Sequence, residues 1–271
     1  MGFVFFPSNK IVLTSSTVNS FHFEILPYLD KISKLKIRLT SMDKILLMLQ
    51  LQAQLNDATN GDKWTEGVTK NGKKINWKRC IYMECAEMID SFSWKHWKSI
   101  HQAPDWENLQ IEVIDVWHFI MSLAIEDYAH NMKGSIEDLA INISQSESFS
   151  KIDIETTKFA TEDEVMLKVE DIIRLTLSKE KFDLERLISE FFDLVVMSGL
   201  NLVTLYRLYV GKNILNQFRQ DNGYKDGSYI KIWNGDEDNV VMKKIWEKNS
   251  DIKPEGLYRE LAKLYHELNK G

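Results

Sequence analysis

Glu84-Cys-Ala-Glu87 is followed by Glu112-Val-Ile-Asp115, beginning 28 residues after the first glutamate. On a helix, residues three apart project from one face about a turn apart. Both pairs lie in apolar company: Ile81, Met88 and Ile89 around the first, and Ile111, Val113, Ile114, Val116 and Ile120 around the second. Four carboxylates in such a setting are costly to bury unless a cation neutralises them. A hard, oxygen-seeking ion such as Mg²⁺ suits them, so Glu84, Glu87, Glu112 and Asp115 are the candidate metal ligands. Ions held there would polarise phosphorus–oxygen bonds and lower the pKa of a bound water. Glu87 is assigned as the carboxylate that takes the water's proton.

Two further groups of polar residues complement this cluster. Lys212, Asn216 and Arg219 share a helical face, and Lys225 and Tyr229 follow on glycine-punctuated turns. Arginine suits bidentate contact with phosphate and lysine supplies a point charge. A solvated helix face is the commoner fate of any one such residue. A run so dense in Lys, Asn, Arg and Gly beside apolar helices favours an anionic ligand, and a metal-bound polyphosphate would use both charge clusters. Gln52 and Asn56 lie on one stripe with Ile45 and Leu49. Buried amides need partners, and these either bond to backbone at a core edge or read a ligand with donors and acceptors, such as a pyrimidine edge. Lys95 is a further cation for developing phosphate charge. Trp97 and Phe119 can stack on a base or pack in the core, and His118, beside Asp115, can touch a sugar hydroxyl or be a satisfied core histidine.

The elements that position these residues read as helices throughout. Hydrophobic spacing predicts helices over residues 43–58, 77–97, 106–128, 164–178, 182–199 and 201–218, and a helical tail over 239–270 broken at Pro254-Glu-Gly. Ser41 or Asp43 is expected to cap the first and Asp105, after Pro104, the third. Gly199 should end its helix. The short link after Trp97 makes the second and third helices antiparallel neighbours and brings the two carboxylate pairs together. Residues 59–76 form a loop with Asn-Gly turns at 60–61 and 71–72. Residues 130–165, rich in Ser and Thr, are expected to be a mobile excursion with a short helix over 136–143. No βαβ alternation or strand ladder appears. The expected architecture is an all-α helical bundle, a single domain over 42–271.

Composition limits what this domain can bind. With 271 residues and 44 % hydrophobic content, the chain can bury a large core. Its net charge of −6 argues against a general nucleic-acid or membrane-surface binder, whose affinity comes from basic patches. Cys80 and Cys85, five apart on one helix, read as reduced packing residues of a cytoplasmic protein. No uninterrupted apolar run reaches the roughly 20 residues that span a bilayer. Residues 1–41 differ from the rest: Lys10, Lys31, Lys34, Lys36 and Arg38 outnumber Glu24 and Asp30, and no period is sustained. They are expected to be a poorly ordered extension, or to precede a functional start at Met42.

Taken as a set, these motifs resemble the dimeric deoxyuridine triphosphatases, within the all-α nucleoside triphosphate pyrophosphatase superfamily. The resemblance covers residues 43–240. It rests on Leu51-Gln52 to Gly61, Trp77 to Phe92, Trp94-Lys-His-Trp-Lys98, Ile111 to Ile120, Gly211 to Tyr229 and Trp233-Asn-Gly-Asp-Glu-Asp-Asn239. It implies Mg²⁺-dependent hydrolysis of dUTP to dUMP and pyrophosphate, a homodimer, and a mobile part that closes over substrate. It further implies that Gln52 and Asn56 face uracil, that Trp97 and Phe119 lie by the base, and that His118 and Asn239 lie by the deoxyribose. Lys95, Lys212, Asn216, Arg219 and Lys225 would hold the phosphates.

Three other readings compete. A di-iron carboxylate bundle uses Glu-x-x-His from paired helices. Asp115-Val-Trp-His118 echoes that pattern only in part, and Glu87 is followed by Asp90 where a histidine would stand. A helical interaction module with a solvated charge face leaves the Lys212–Tyr229 run unexplained. A sister enzyme acting on dCTP or other nucleotides shares the chemistry, because Gln52 and Asn56 can read either pyrimidine.

Overall fold

The computed structural model describes residues 39–98, 103–178, 182–249 and 252–268. The fold is an all-α bundle. Its helices are α1 (Ser41–Asn60), α2 (Trp77–Ile89), α3 (Trp106–His130), α4 (Ile136–Gln145), α5 (Glu162–Leu177), α6 (Leu184–Met197), α7 (Leu202–Asp221), α8 (Asp238–Lys248) and α9 (Pro254–Leu268). A two-residue antiparallel ladder, β1 (Ile232–Trp233) with β2 (Asp236–Glu237), turns on Asn234 and Gly235, both at positive φ. That is the Asn-Gly hairpin chemistry expected of so tight a turn, and it delivers Asp238 and Asn239 to the start of α8.

Helix α3 is the axis of the bundle. It packs on α1, α2, α4, α6 and α7, and Leu109, Val113, Val116, Trp117, Ile120, Met121 and Ala124 are completely buried. Trp117 stacks on Phe191 of α6, 5.0 Å between centroids at 5°. By length and hydropathy alone α3 would pass for a membrane span, but here it is the buried core helix. Gly211 sets the approach of α8 to α7, since a Cβ there would collide with the Trp246 ring.

Several boundaries differ from expectation. The cap of α1 is Thr40, whose hydroxyl accepts from the Asp43 amide while the Asp43 carboxylate accepts from the Thr40 amide, a capping box. Leu39 packs against the core, so the end of the segment expected to be an extension takes part in the fold; residues 1–38 lie outside the described residues. Helix α2 stops at Ile89 rather than Trp97, because Asp90 collects the Trp94 indole at 2.9 Å and the Lys95 ammonium at 3.0 Å. The Ser91 carbonyl is then used by the Asp105 amide across the link. Residues 130–165 are more integrated than their Ser and Thr content suggested. They hold α4, capped by Ser135, and Leu139, Ala140, Ile143, Phe149 and Ile152 all reach the core. The tail break falls before Pro254, which opens α9; proline is well placed at a first helical position, where its missing N–H has no intrahelical partner.

Candidate active site

The antiparallel packing of α2 and α3 brings Glu84, Glu112 and Asp115 together, with one carboxylate oxygen from each within 4.8 Å of the others. All three are half-buried. Glu87, one turn beyond Glu84, is exposed, yet close enough for its charge to act on both Glu84 and Glu112. Burial pushes Glu84 up to about 8, reinforced by Asp115, Glu112 and Glu87. Burial and the Asp115 charge push Glu112 up to about 7, with the Lys212 ammonium opposing. A proton on Glu84, donated toward the Glu112 carboxylate, would relieve part of this repulsion. A hard divalent cation would relieve it without protons, so the donor set fits Mg²⁺.

Lys212 is the cation already at hand. Its buried ammonium sits 2.8 Å from Asp115 Oδ2 and donates to Asn239 Oδ1 at 2.8 Å. Next along α7, Arg219 is clamped by the completely buried Asp238, with Nε on Oδ2 at 2.8 Å and Nη2 on Oδ1 at 2.7 Å. The remaining guanidinium nitrogen donates to Asn216 Oδ1 at 3.0 Å, and the Tyr229 hydroxyl donates to Asp238 at 2.8 Å. The hairpin and the start of α8 thus fix the basic face of α7.

Beside the carboxylates opens a cleft of about 510 Å³. Its walls include Gln52 and Asn56 from α1, Trp77 from α2, Asp115, His118 and Phe119 from α3, and Asn216 and Gln220 from α7. Trp77 and Phe119 stack at 6.1 Å and 29°. Gln52 Oε1 lies 2.6 Å from His118 Nδ1 and 3.2 Å from the Tyr209 hydroxyl. Gln52 Nε2 donates to Asn56 Oδ1 at 3.2 Å and to Ser122 Oγ at 3.0 Å, and Asn56 Nδ2 donates to Ser122 Oγ at 2.9 Å. Burial pushes His118 down to about 4, so its ring is neutral at pH 7. His118 Nε2, Trp77 Nε1 and Gln220 Oε1, all buried atoms of cleft residues, have no hydrogen-bond partner among the described residues.

Of the residues singled out from sequence, Gln52, Asn56, Asp115, His118, Phe119 and Asn216 line the cleft. Lys212, Arg219 and Asn239 stand behind Asp115 and Asn216 in one hydrogen-bonded set. Lys225 donates to the Ala58 carbonyl at 3.0 Å, at the end of α1. Lys95 and Trp97 are not brought to the cleft: Lys95 pairs with Asp90, and Trp97, 62 % exposed, meets the rings of Trp94 and His96. Sequence reasoning passed over Trp77, Ser122, Tyr209 and Asp238 in these settings. Trp77 and Cys80 precede Glu84 at spacings of 3 and 4 on one face of α2, and Ser122 follows His118 by one turn, so both were legible in the helical period. Nothing local marks Tyr209 or Asp238.

A family model described as dUTPase matches residues 44–224. Among proteins with curated descriptions, none matches the chain.

Proposed function

The chain belongs to the all-α dUTPase family, whose activity is dUTP hydrolysis, and from that premise we propose that it splits dUTP into dUMP and pyrophosphate with Mg²⁺ held by its carboxylates. The observation that carries this reading is the position of Asp115. It belongs both to the carboxylate cluster and to the wall of the cleft, so a ligand with a heterocycle in the cleft lays its phosphates at the cluster.

In this reading Glu84, Glu112 and Asp115 hold the metal, with Glu87 beside them. Mg²⁺ there supplies charge neutralisation for phosphoryl oxygens and a more acidic water. Glu87, the exposed and least committed of the four, takes the attacking water's proton. Lys212 spends two of its three N–H donors on Asp115 and Asn239, leaving one for a phosphate oxygen. Arg219, held by Asp238, and Asn216 extend the same edge, and Lys225 closes the end nearest α1. Phe119 and Trp77 offer ring faces to the base. Amide oxygens only accept, so the 2.6 Å contact with Gln52 Oε1 puts the His118 proton on Nδ1. Nε2 is then a buried acceptor suited to a sugar hydroxyl. Lys95 and Trp97 carry no step in one protomer. The working enzyme in this reading is a homodimer, as the resemblance implies, and a cytoplasmic one, in keeping with its free Cys80 and Cys85.

Turnover of dUTP, dCTP, dTTP and UTP, compared at equal concentration with Mg²⁺, tests the assignment. Preference for dUTP is expected. Preference for dCTP would move the protein to the sister activity, and turnover of none of them would reject the reading.

A further inference from the structure

We propose that Ser122, a residue that need not touch the substrate, fixes which pyrimidine the cleft accepts, by setting the direction of a chain of hydrogen bonds that ends at His118. The inference rests on the reading of the cleft as a pyrimidine-nucleotide site and adds to it a specificity-determining position.

Ser122 is completely buried in α3, one turn after His118. Its hydroxyl proton goes back to the His118 carbonyl at 2.8 Å, a common bond for serine inside a helix. With that proton committed, Ser122 Oγ can only accept. The Asn56 side chain must therefore turn its NH₂ group toward Oγ, at 2.9 Å. Asn56 Oδ1 then faces Gln52, which must donate Nε2 to it at 3.2 Å, and to Ser122 at 3.0 Å. Gln52 Oε1 is consequently left facing His118 Nδ1, which must carry the ring proton. Every group in the chain has one permitted orientation, and the first bond decides all the others. Turning both amides over would point Asn56 Oδ1 at the Ser122 lone pairs, with no proton between two acceptors.

Orientation matters because the two pyrimidines present opposite patterns at ring position 3. Uracil has N3–H, a donor beside the O4 acceptor; cytosine has N3, an acceptor beside the N4 donors. Asn56 keeps one uncommitted N–H and one uncommitted lone pair on Oδ1. With the amide order fixed, a base seated in one register meets Asn56 as uracil or as cytosine, not as both. A site built on fixed hydrogen bonds rejects a mismatched analogue far more strongly than an apolar pocket does.

Ser122→Ala removes the anchoring acceptor at nearly constant volume and makes the two amide orders close in energy. The first measurement needs no substrate: the nitrogen-15 shifts of the His118 ring in the full chain. The wild-type ring is expected as the Nδ1–H form alone, and the alanine variant as a mixture with the Nε2–H form. A wild-type ring protonated on Nε2, or an unchanged ring in the variant, would overturn the proposal. The second is kcat/KM for dUTP and dCTP with Mg²⁺. For Ser122→Ala the dUTP value is expected to fall only about twofold, because about half of the molecules keep the uracil order, while the dCTP value rises at least about fivefold, so that the ratio drops at least about tenfold. An unchanged ratio, with both values lowered together, would make Ser122 merely structural and refute the inference. If the wild-type protein turns over neither nucleotide, the functional reading falls, and the ring-nitrogen result alone still decides the hydrogen-bond chain.

Discussion

With no metal in its carboxylate cluster, this protein should show a pH dependence of unusual sign. Glu84 and Glu112 have folded-state values pushed up to about 8 and about 7 by burial and by the charges of Asp115 and Glu87. Between their unfolded values near 4.5 and these folded values, the native state binds more protons than the unfolded chain. Stability from these groups is therefore present at low pH and lost as pH rises through about 7 to 8. His118 acts in the opposite sense, because its folded value is depressed to about 4. Its contribution is lost as pH falls from about 6.5 to about 4, and it adds no slope above 6.5. The clean window is pH 6.5 to 8.5. Each shifted unit is worth about 1.4 kcal/mol, so both carboxyls together could change stability by up to about 3 kcal/mol across it. Solvent screening of half-buried groups reduces that to about 1–2 kcal/mol. For a domain of this size the melting temperature should fall by about 5 °C. Scanning calorimetry in chelator at both pH values measures it. Millimolar Mg²⁺ should raise Tm and flatten the slope, since bound metal favours the ionised carboxylates at every pH. A metal-free Tm that stays level or rises from pH 6.5 to 8.5 would refute the electrostatic account of the cluster.

Glu87→Gln should preserve the fold, because the side chain is exposed, but lower kcat for dUTP by about 10²- to 10⁴-fold; wild-type kcat would remove Glu87 as the base. Asp238→Ala should cost about 3–5 kcal/mol in urea unfolding, since it strands the Arg219 guanidinium in a buried site and unpairs the Tyr229 hydroxyl. A loss under 1 kcal/mol would mean that water takes the place of the carboxylate.

The α2–α3 pair and its carboxylates were legible because helical period and ligand spacing are local properties: residues three apart share a face wherever the helix lies. The amide stripe of α1 was legible for the same reason. Asp90 was not, because a helix that breaks at a side-chain acceptor for Trp94 and Lys95 looks from sequence like one that continues. The misplacement of Lys95 and Trp97 follows from that single boundary. The Ser and Thr content of residues 130–165 suggested an excursion, yet Leu139, Ile143, Phe149 and Ile152 are spaced to bury one side of it. The contacts of Arg219 with Asp238 and of Gln52 with Tyr209 join segments 19 and 157 residues apart. No pattern within one helix announces such pairs; packing alone brings them together.

The central claim is that the carboxylate cluster and the cleft act together on one dUTP molecule. Phosphorus-31 spectroscopy of the products from dUTP tests it most directly, first with Mg²⁺, then in excess chelator, then with Mg²⁺ restored. Equimolar dUMP and pyrophosphate are expected with metal, no turnover in chelator, and full recovery on restoration. Release of dUDP and phosphate, turnover that persists in chelator, or no reaction under any of the three conditions would contradict it.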